Sequence, residues 1–173
     1  LEEIVFINGR TLLNSETELN KLGKNQSFII NDTVVAARLS GAELTMPVET
    51  VQNGMTIDLD ETAIEKQEID GVLVEYIWDL IQANSDQIRS DFAFATQGRG
   101  SSVNDNGTVI HNQNVFIDKT AEIMPQVVVD GSDGPVFIDR NVVIQPHVYI
   151  QGPVYIGPSA LIKAGAKLYS GTT

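Results

Sequence analysis

The last third of the chain repeats a hydrophobic position every six residues. From residue 115 to residue 173 a large aliphatic residue recurs, and a small or β-branched residue stands two positions before it. The large residues are Ile117, Ile123, Val129, Ile138, Ile144, Ile150, Ile156, Ile162 and Leu168. These nine hexads predict a left-handed parallel β-helix of about three coils, because each coil of such a solenoid takes three hexads.

Grouping the hexads in threes predicts columns of stacked aliphatic side chains. Neighbouring coils lie ~4.8 Å apart, so each aliphatic residue packs on its counterpart in the next coil. Residues 130–135 interrupt the count between Val129 and Ile138. We expect this insertion to bulge from a corner without shifting the columns. The columns are Ile117, Ile138 and Ile156; Ile123, Ile144 and Ile162; and Val129, Ile150 and Leu168.

The position before each large aliphatic residue points outward, and most of these positions are apolar. A contiguous apolar outer face indicates an interface. We expect burial against the first domain or a neighbouring subunit, with a homo-oligomer and a trimer favoured; an aromatic ladder that only shields the sheet is the alternative. The interface candidates are Phe116, Phe137, Tyr155, Val143, Leu161 and Tyr149.

Residues 1–96 lack the period of six, and their pattern predicts a small α+β segment. Spacings of three and four predict one helix from about Leu73 to Ala83, with Trp78 expected in the core, and a second helix capped by Ser85. Residues 97–114 are predicted as a linker and first strand, and residues 115–173 as the β-helix. The predicted strands are residues 4–7, a hairpin of residues 27–30 and 33–39 around Asn31-Asp32, and residues 56–59.

Charge and composition exclude several classes of function. The chain of 173 residues carries a net charge of −12, which opposes nucleic-acid binding. It has no cysteine, so disulfides and thiolate metal sites are excluded. No apolar run approaches the roughly 18 residues that span a bilayer, and there is no signal peptide. We therefore expect a cytoplasmic protein without a membrane partner.

Three segments before the hexads carry a resemblance to a known family. They are residues 76–81 (YIWDLI), 88–92 (IRSDF) and 96–99 (TQGR). With the repeat, they resemble sugar nucleotidyltransferases of Bacteroidetes, which are similar to the bifunctional N-acetylglucosamine-1-phosphate uridyltransferase/acetyltransferase. The resemblance is closest over residues 74–173. It implies a nucleoside triphosphate and a sugar 1-phosphate as substrates, Mg²⁺ as cofactor, and possible acyl transfer by the β-helix.

The sequence departs from this family at the parts that carry the chemistry. It lacks the glycine-rich loop that holds the triphosphate and the later coils that hold the catalytic histidine and the coenzyme A contacts. The chain begins at Leu1 and stops within a repeat. We therefore expect an internal fragment that is inactive alone. An acyl-coenzyme A-dependent hexapeptide acyltransferase and a non-catalytic β-helix oligomerisation module are the alternatives.

The histidines give one weak catalytic candidate. His147 lies at a predicted corner of the second coil, where it is either a general base for acyl transfer or an ordinary surface histidine. A zinc site of the carbonic-anhydrase kind needs three histidines. The chain has only two, and the other, His111, falls at a different position of the hexad, so we exclude that site.

A few charged residues are candidates for ligand binding. Three basic residues on the coils either meet a phosphate or are solvated corner charges: Arg140, Lys163 and Lys167. Three carboxylates, Asp58, Asp60 and Glu61, could in principle hold a metal. Their spacing does not require one, and a solvated acidic turn is the simpler interpretation. No metal site is predicted from the residues themselves.

Overall fold

A computed structural model of the chain describes residues 3–12, 19–44, 47, 64–102, 108–110 and 112–173. The predicted strand at residues 56–59, the three carboxylates at positions 58, 60 and 61, and His111 lie outside the described residues. The chain divides into two compact units, residues 1–77 and residues 78–173. The predicted boundary at residue 96 differs from this division because the helix before it packs with the repeat.

The first unit contains a four-stranded sheet of order β1-β4-β3-β5 and a two-stranded sheet, β2-β6. A 3₁₀ helix at Gly41–Leu44 follows β4. The buried core of the first unit includes Phe28, Val35 and Leu39. The strands are β1 (Glu3–Ile7), β2 (Thr11–Leu12), β3 (Gln26–Ile30), β4 (Thr33–Ser40), β5 (Glu65–Glu68) and β6 (Val72–Leu73).

The hairpin of β3 and β4 confirms the prediction for this part of the sequence. Ile30 pairs with Thr33 across a turn in which Asn31 and Asp32 have φ angles of 48° and 61°. Two-residue hairpin turns of this kind need positive φ at both positions, and Asn and Asp tolerate it better than most residues. The predicted strand at residues 4–7 is also present, as β1 on the other side of β4.

A single helix, α1 (Ile77–Thr96), replaces the two predicted helices. Leu73 belongs to β6, and Ser85 lies inside the helix instead of capping one. The prediction was wrong because the polar pair at positions 84 and 85 has partners far along the chain. Asn84 Nδ2 donates to Gly171 O at 2.7 Å, and Ser85 Oγ lies 3.1 Å from Ser170 Oγ. Side chains that bond elsewhere do not compete with the helix backbone.

The apolar residues at the start of α1 are exposed, which corrects the expectation for Trp78. The Trp78 side chain is 53% exposed, and Ile77 and Ile81 are each 77% exposed. Among the described residues of α1 only Ile88 is buried. No helix in the described part of the chain is long and apolar enough to cross a membrane.

The second unit stacks its strands into three parallel sheets, β7-β10-β13-β16, β8-β11-β14 and β9-β12-β15, as expected for a β-helix. A 3₁₀ helix at Asn112–Asn114 precedes β8. The strands are β7 (Thr108–Ile110), β8 (Val115–Ile117), β9 (Glu122–Ile123), β10 (Val128–Asp130), β11 (Val136–Ile138), β12 (Val143–Ile144), β13 (Tyr149–Gln151), β14 (Val154–Ile156), β15 (Leu161–Ile162) and β16 (Lys167–Leu168).

The register of these sheets confirms the predicted aliphatic columns. Ile138 pairs with Ile117 on one side and with Ile156 on the other. The other columns form in the same way, through Ile144 and Ile150. The insertion at residues 130–135 starts at the last residue of β10 and ends just before β11, and both strands keep their register. The extra residues therefore leave the columns unshifted, as the hexad count predicts.

The outer edge of β8 is covered by residues 101 and 102. Ser102 N donates to Ile117 O at 2.8 Å, and Ile117 N donates to Ser101 Oγ at 3.0 Å. Unpaired strand groups at a sheet edge invite pairing with other chains. The segment that leads from α1 into the repeat thus satisfies backbone groups at the beginning of the stack.

Candidate functional site on the aromatic face of the β-helix

An aromatic ladder runs across the outer face of the sheet β8-β11-β14. Phe116, Phe137 and Tyr155 occupy the same position in successive coils, and the parallel register places them side by side. The ring centroids of Phe116 and Phe137 are 4.6 Å apart, and those of Phe137 and Tyr155 are 5.5 Å apart. A repeat stacks like on like, so one aromatic position per coil produces a continuous apolar strip.

Helix α1 covers this ladder within the second unit. The Phe92 ring meets Phe137 edge-on, with centroids 6.4 Å apart at 87°. Phe116 and Phe137 are only 3% and 4% exposed. Residues of the same chain bury these two phenylalanines: Phe92 of α1 contacts Phe137, and Arg99 lies over Phe116. Their burial therefore gives no support to a contact with another subunit at this face.

Arg99 lies at the centre of a charged cluster beside the ladder. Its Nη2 is 3.0 Å from Asp118 Oδ2 and 3.7 Å from Asp139 Oδ1. Its guanidinium carbon lies 4.6 Å from the centroid of the Phe116 ring and 5.3 Å from that of Phe137. Guanidinium groups bind carboxylates and also stack on aromatic faces. Arg99 makes both kinds of contact at once.

The two carboxylates need this cation because the repeat brings them together. Asp118 and Asp139 each follow the large aliphatic residue of their hexad, in adjacent coils. Like charges on neighbouring strands repel each other. A guanidinium between them replaces that repulsion with two attractive contacts. We call this group of residues the Arg99 cluster: Arg99, Asp118, Asp139 and the ladder residues Phe116, Phe137 and Tyr155.

Hydrogen bonds and burial shift the pKa values of two groups in the cluster. The backbone N and the hydroxyl of Thr120 donate to Asp118, at 3.0 and 2.8 Å, and with Arg99 they hold the pKa of Asp118 below its usual value. Burial is the main cause that raises the pKa of Tyr155, whose hydroxyl donates to Asp139 at 3.1 Å. Asp118 is therefore a carboxylate and Tyr155 a neutral donor at neutral pH. This arrangement suits holding structure together better than proton transfer.

A cleft of about 320 Å³ lies between α1 and the ladder. Its apolar lining is Ile88, Phe92, Ala95, Phe137 and Tyr155, and its polar lining is Asn84, Gln87, Asp91 and Thr173. The one carboxylate in this lining already accepts a hydrogen bond from Gln87 Nε2 at 2.9 Å. Since the lining holds no basic side chain among the described residues, the cleft lacks the countercharge that a phosphate requires.

His147 lies where the sequence predicts it, at an exposed corner between β12 and β13. Its φ angle is 63°, and Gln126 and Gly165, at the same position of neighbouring coils, have φ angles of 68° and 76°. Asn141 and Ser159, with φ of 55° and 61°, show the same geometry at a second corner. The left-handed backbone of His147 is thus a property of the corner, and it does not by itself indicate catalysis.

The three basic candidates lie on separate segments. Arg140 is at the corner after β11, Lys163 is at the corner after β15, and Lys167 is within β16. All three side chains are exposed. Their places on different corners and strands give no common phosphate site among the described residues.

The remaining interface candidates lie outside the Arg99 cluster. Leu161 is 55% exposed on β15, next to the half-buried Val143 of β12. The Tyr149 hydroxyl donates to Asp130 at 3.3 Å, and its ring centroid is 6.3 Å from that of Tyr169. Burial is the main cause that raises the pKa of Tyr149. An intermolecular role for these residues stays a prediction.

The described residues do not fit the Mg²⁺ that the family resemblance implies. Within the described ranges, no group of three or more histidine, cysteine, aspartate or glutamate side chains can hold a metal ion. In the pair Asp118 and Asp139, Arg99 already supplies the countercharge. Divalent cations of this kind prefer several free oxygen ligands.

Sequence reasoning missed Arg99 as a site residue and includes it only as the last residue of the family segment at residues 96–99. The signal was present in the repeat. Asp118 and Asp139 stand at the same hexad position, and a column of like charges calls for a cation nearby. Among the described contacts that cation comes from outside the hexads.

The fold and this face define a β-helix protein whose preceding helix is anchored on the repeat. The model of the sugar nucleotidyl transferase family matches residues 1–100. Because the match covers more than half of the chain, the protein belongs to the sugar nucleotidyl transferase family. This membership gives it a nucleotidyltransferase-like function in general, with nucleotide and sugar-phosphate substrates. A comparison with curated proteins found no significant match.

Proposed function

We propose that the chain serves the transfer of a nucleotidyl group from a nucleoside triphosphate to a sugar 1-phosphate. In this reaction a phosphate oxygen of the sugar 1-phosphate attacks the α-phosphorus, and pyrophosphate leaves. The family match over residues 1–100 is the observation that carries the proposal. Mg²⁺ belongs to the proposal through the family resemblance, but we assign it no step because the described residues do not fit it.

The test is pyrophosphate release with a panel of nucleoside triphosphates and sugar 1-phosphates in the presence of Mg²⁺. The 173-residue chain lacks the family's glycine-rich loop, so we expect it to release none when assayed alone. If the reading frame encodes such a loop, the full-length protein is expected to release pyrophosphate with at least one pair. A full-length protein that carries the loop and stays inactive with every pair contradicts the proposed reaction. Release by the 173-residue chain contradicts the expected need for the loop.

A second role, as an assembly module, is proposed for the repeat. We take the stack to be a left-handed parallel β-helix of about three coils, which the hexapeptide pattern supports, and we propose that it forms a homo-oligomer with a trimer favoured. The exposed Leu161 on the outer face of β15 favours this role. Large apolar side chains on an outer sheet face gain most from being covered by another subunit.

Light scattering on the Leu161→Asp variant tests the assembly role. The matched control is Lys163→Asp, which introduces the same side chain at an exposed corner of the same coil. We expect a lower mass for Leu161→Asp and an unchanged mass for Lys163→Asp. A monomeric wild-type protein, or a mass that Leu161→Asp leaves unchanged, removes this face as the subunit contact. Acyl transfer with His147 as general base stays a prediction.

A further inference from the structure

Helix α1 contacts the β-helix through a few apolar side chains, among them Phe92 against Phe137, and through polar side chains along its length. Asn84 and Ser85 bond to the segment at residues 170–171, as described above. Arg89 Nη2 donates to Asp133 O, in the insertion, at 2.5 Å. Ile88 is the buried residue among those of α1 that the structure describes. The bonds of Ser85 and Arg89 are exposed and that of Asn84 is part-buried. Exposed hydrogen bonds contribute little net stability, because water replaces them when the helix leaves.

The β-helix beneath is held in a different way. Ile138, Ile144 and Ile150 are 0% exposed, and each packs within a continuous aliphatic column. Burial of such a side chain contributes far more than a solvated hydrogen bond does. Segments with few buried apolar contacts open locally at lower cost than the core of the same protein. The second unit therefore joins a firmly packed stack to a weakly packed helix.

Arg99, just beyond the carboxyl end of the helix, supplies a further point of attachment. Its guanidinium bonds to two carboxylates and lies over two phenylalanine rings. If the helix departs, Asp118 and Asp139 lose their shared countercharge, and the ladder becomes exposed. The charged part of this attachment rests on one side chain that is 40% exposed, so salt weakens it.

We infer that residues 78–99 form a detachable strap. In a local opening the strap leaves the aromatic ladder while the β-helix stays folded, and Arg99 sets how often this happens. The opening uncovers Phe116, Phe137 and Tyr155 together, because one helix and one arginine shield all three. This inference stands on contacts within the second unit and is independent of the proposed nucleotidyl transfer.

Amide hydrogen exchange on the full 173-residue chain, read by mass spectrometry of peptides from α1 and from β11–β14, tests the strap. In the wild type we expect the α1 amides to exchange faster than those of β11. Arg99→Met removes the charge and the stacking, and we expect it to raise α1 exchange by about tenfold. Arg99→Lys keeps the charge, and we expect its α1 exchange rate to lie between those of the wild type and Arg99→Met. Arg140→Met, at an exposed corner nearby, is the control and is expected to change nothing.

Salt supplies a second measurement that needs no variant. At about 1 M salt the Debye length falls to about 3 Å, so α1 exchange in the wild type is expected to rise while β11 exchange stays constant. Two results overturn the inference. One is α1 and β11 exchanging together as a single unit under all conditions; the other is α1 exchange that neither salt nor Arg99→Lys alters. If Arg99→Met does not fold, the salt series and Arg99→Lys still decide the question.

Discussion

Phe137 is the side chain on which the aromatic face depends most. It lies in the middle of the ladder and is 4% exposed. Its ring contacts Phe116 at 4.6 Å, Tyr155 at 5.5 Å and Phe92 at 6.4 Å between centroids. Replacing it by leucine keeps an apolar side chain at the position but removes every one of these ring contacts. The variant therefore isolates the aromatic contribution.

The expected loss follows from those contacts. Each aromatic pair contributes about 0.5–1.5 kcal/mol beyond its buried area, and three pairs are lost. Arg99, 5.3 Å from the ring centroid, contributes about 0.5 kcal/mol more at a partly exposed site. The pairs share one ring and are not fully additive. We therefore expect Phe137→Leu to lower the free energy of opening of the β-helix by about 2–4 kcal/mol.

Native-state hydrogen exchange of the β11 and β14 amides measures this free energy directly. Tyr169→Leu is the matched control, because Tyr169 is 52% exposed and its ring lies 6.3 Å from that of Tyr149. Its expected cost is below about 1 kcal/mol. Equal losses for the two variants, or a loss below about 1 kcal/mol for Phe137→Leu, would show that the ladder does not stabilise the stack.

Three further predictions concern single positions in the repeat. The pKa of Asp118 is lowered in the folded protein, so its stabilising contribution is complete above its usual pKa and is lost as the pH falls through its pKa in the folded state. The urea midpoint should therefore fall between about pH 6 and pH 2.5, and it should fall less in the Asp118→Asn variant. A Cβ on Gly152 would clash with the backbone oxygen of Gly134, whereas one on Gly157 meets nothing closer than 3.7 Å, so Gly152→Ala should lower the melting temperature and Gly157→Ala should not. His147→Gly, at φ 63°, should keep or raise the melting temperature; a drop would contradict the corner interpretation.

Sequence reasoning succeeds in this protein wherever structure is set by a local period. The hexads predict the columns through Ile138, Ile144 and Ile150 because alternation alone decides which side chains face inward. The hairpin at Asn31-Asp32 is equally local, since two residues with positive φ fix the pairing of the flanking strands. In both cases the information lies within a few residues of the feature it determines.

The failures arise where a distant partner decides. Asn84-Ser85 looks like a helix break, yet α1 continues because Asn84 bonds to Gly171, 87 positions further along the chain. A local rule has no access to such a partner, and a propensity is easily outweighed by tertiary bonds. The start of α1 shows the same limit, since Trp78 has the expected helical spacing but is exposed.

The Arg99 cluster lies between these cases and shows what a repeat adds. Stacking identical positions stabilises an apolar column, but it makes an acidic column repel itself. In this chain the position after the large aliphatic holds Asp118, then Asp139, then Gly157, so two carboxylates stack and the third coil has none. A column that repels itself needs a cation from outside the hexads, and the cation must lie where those two coils meet. In this chain the pair of stacked carboxylates therefore marks where another segment docks, and that segment ends at Arg99.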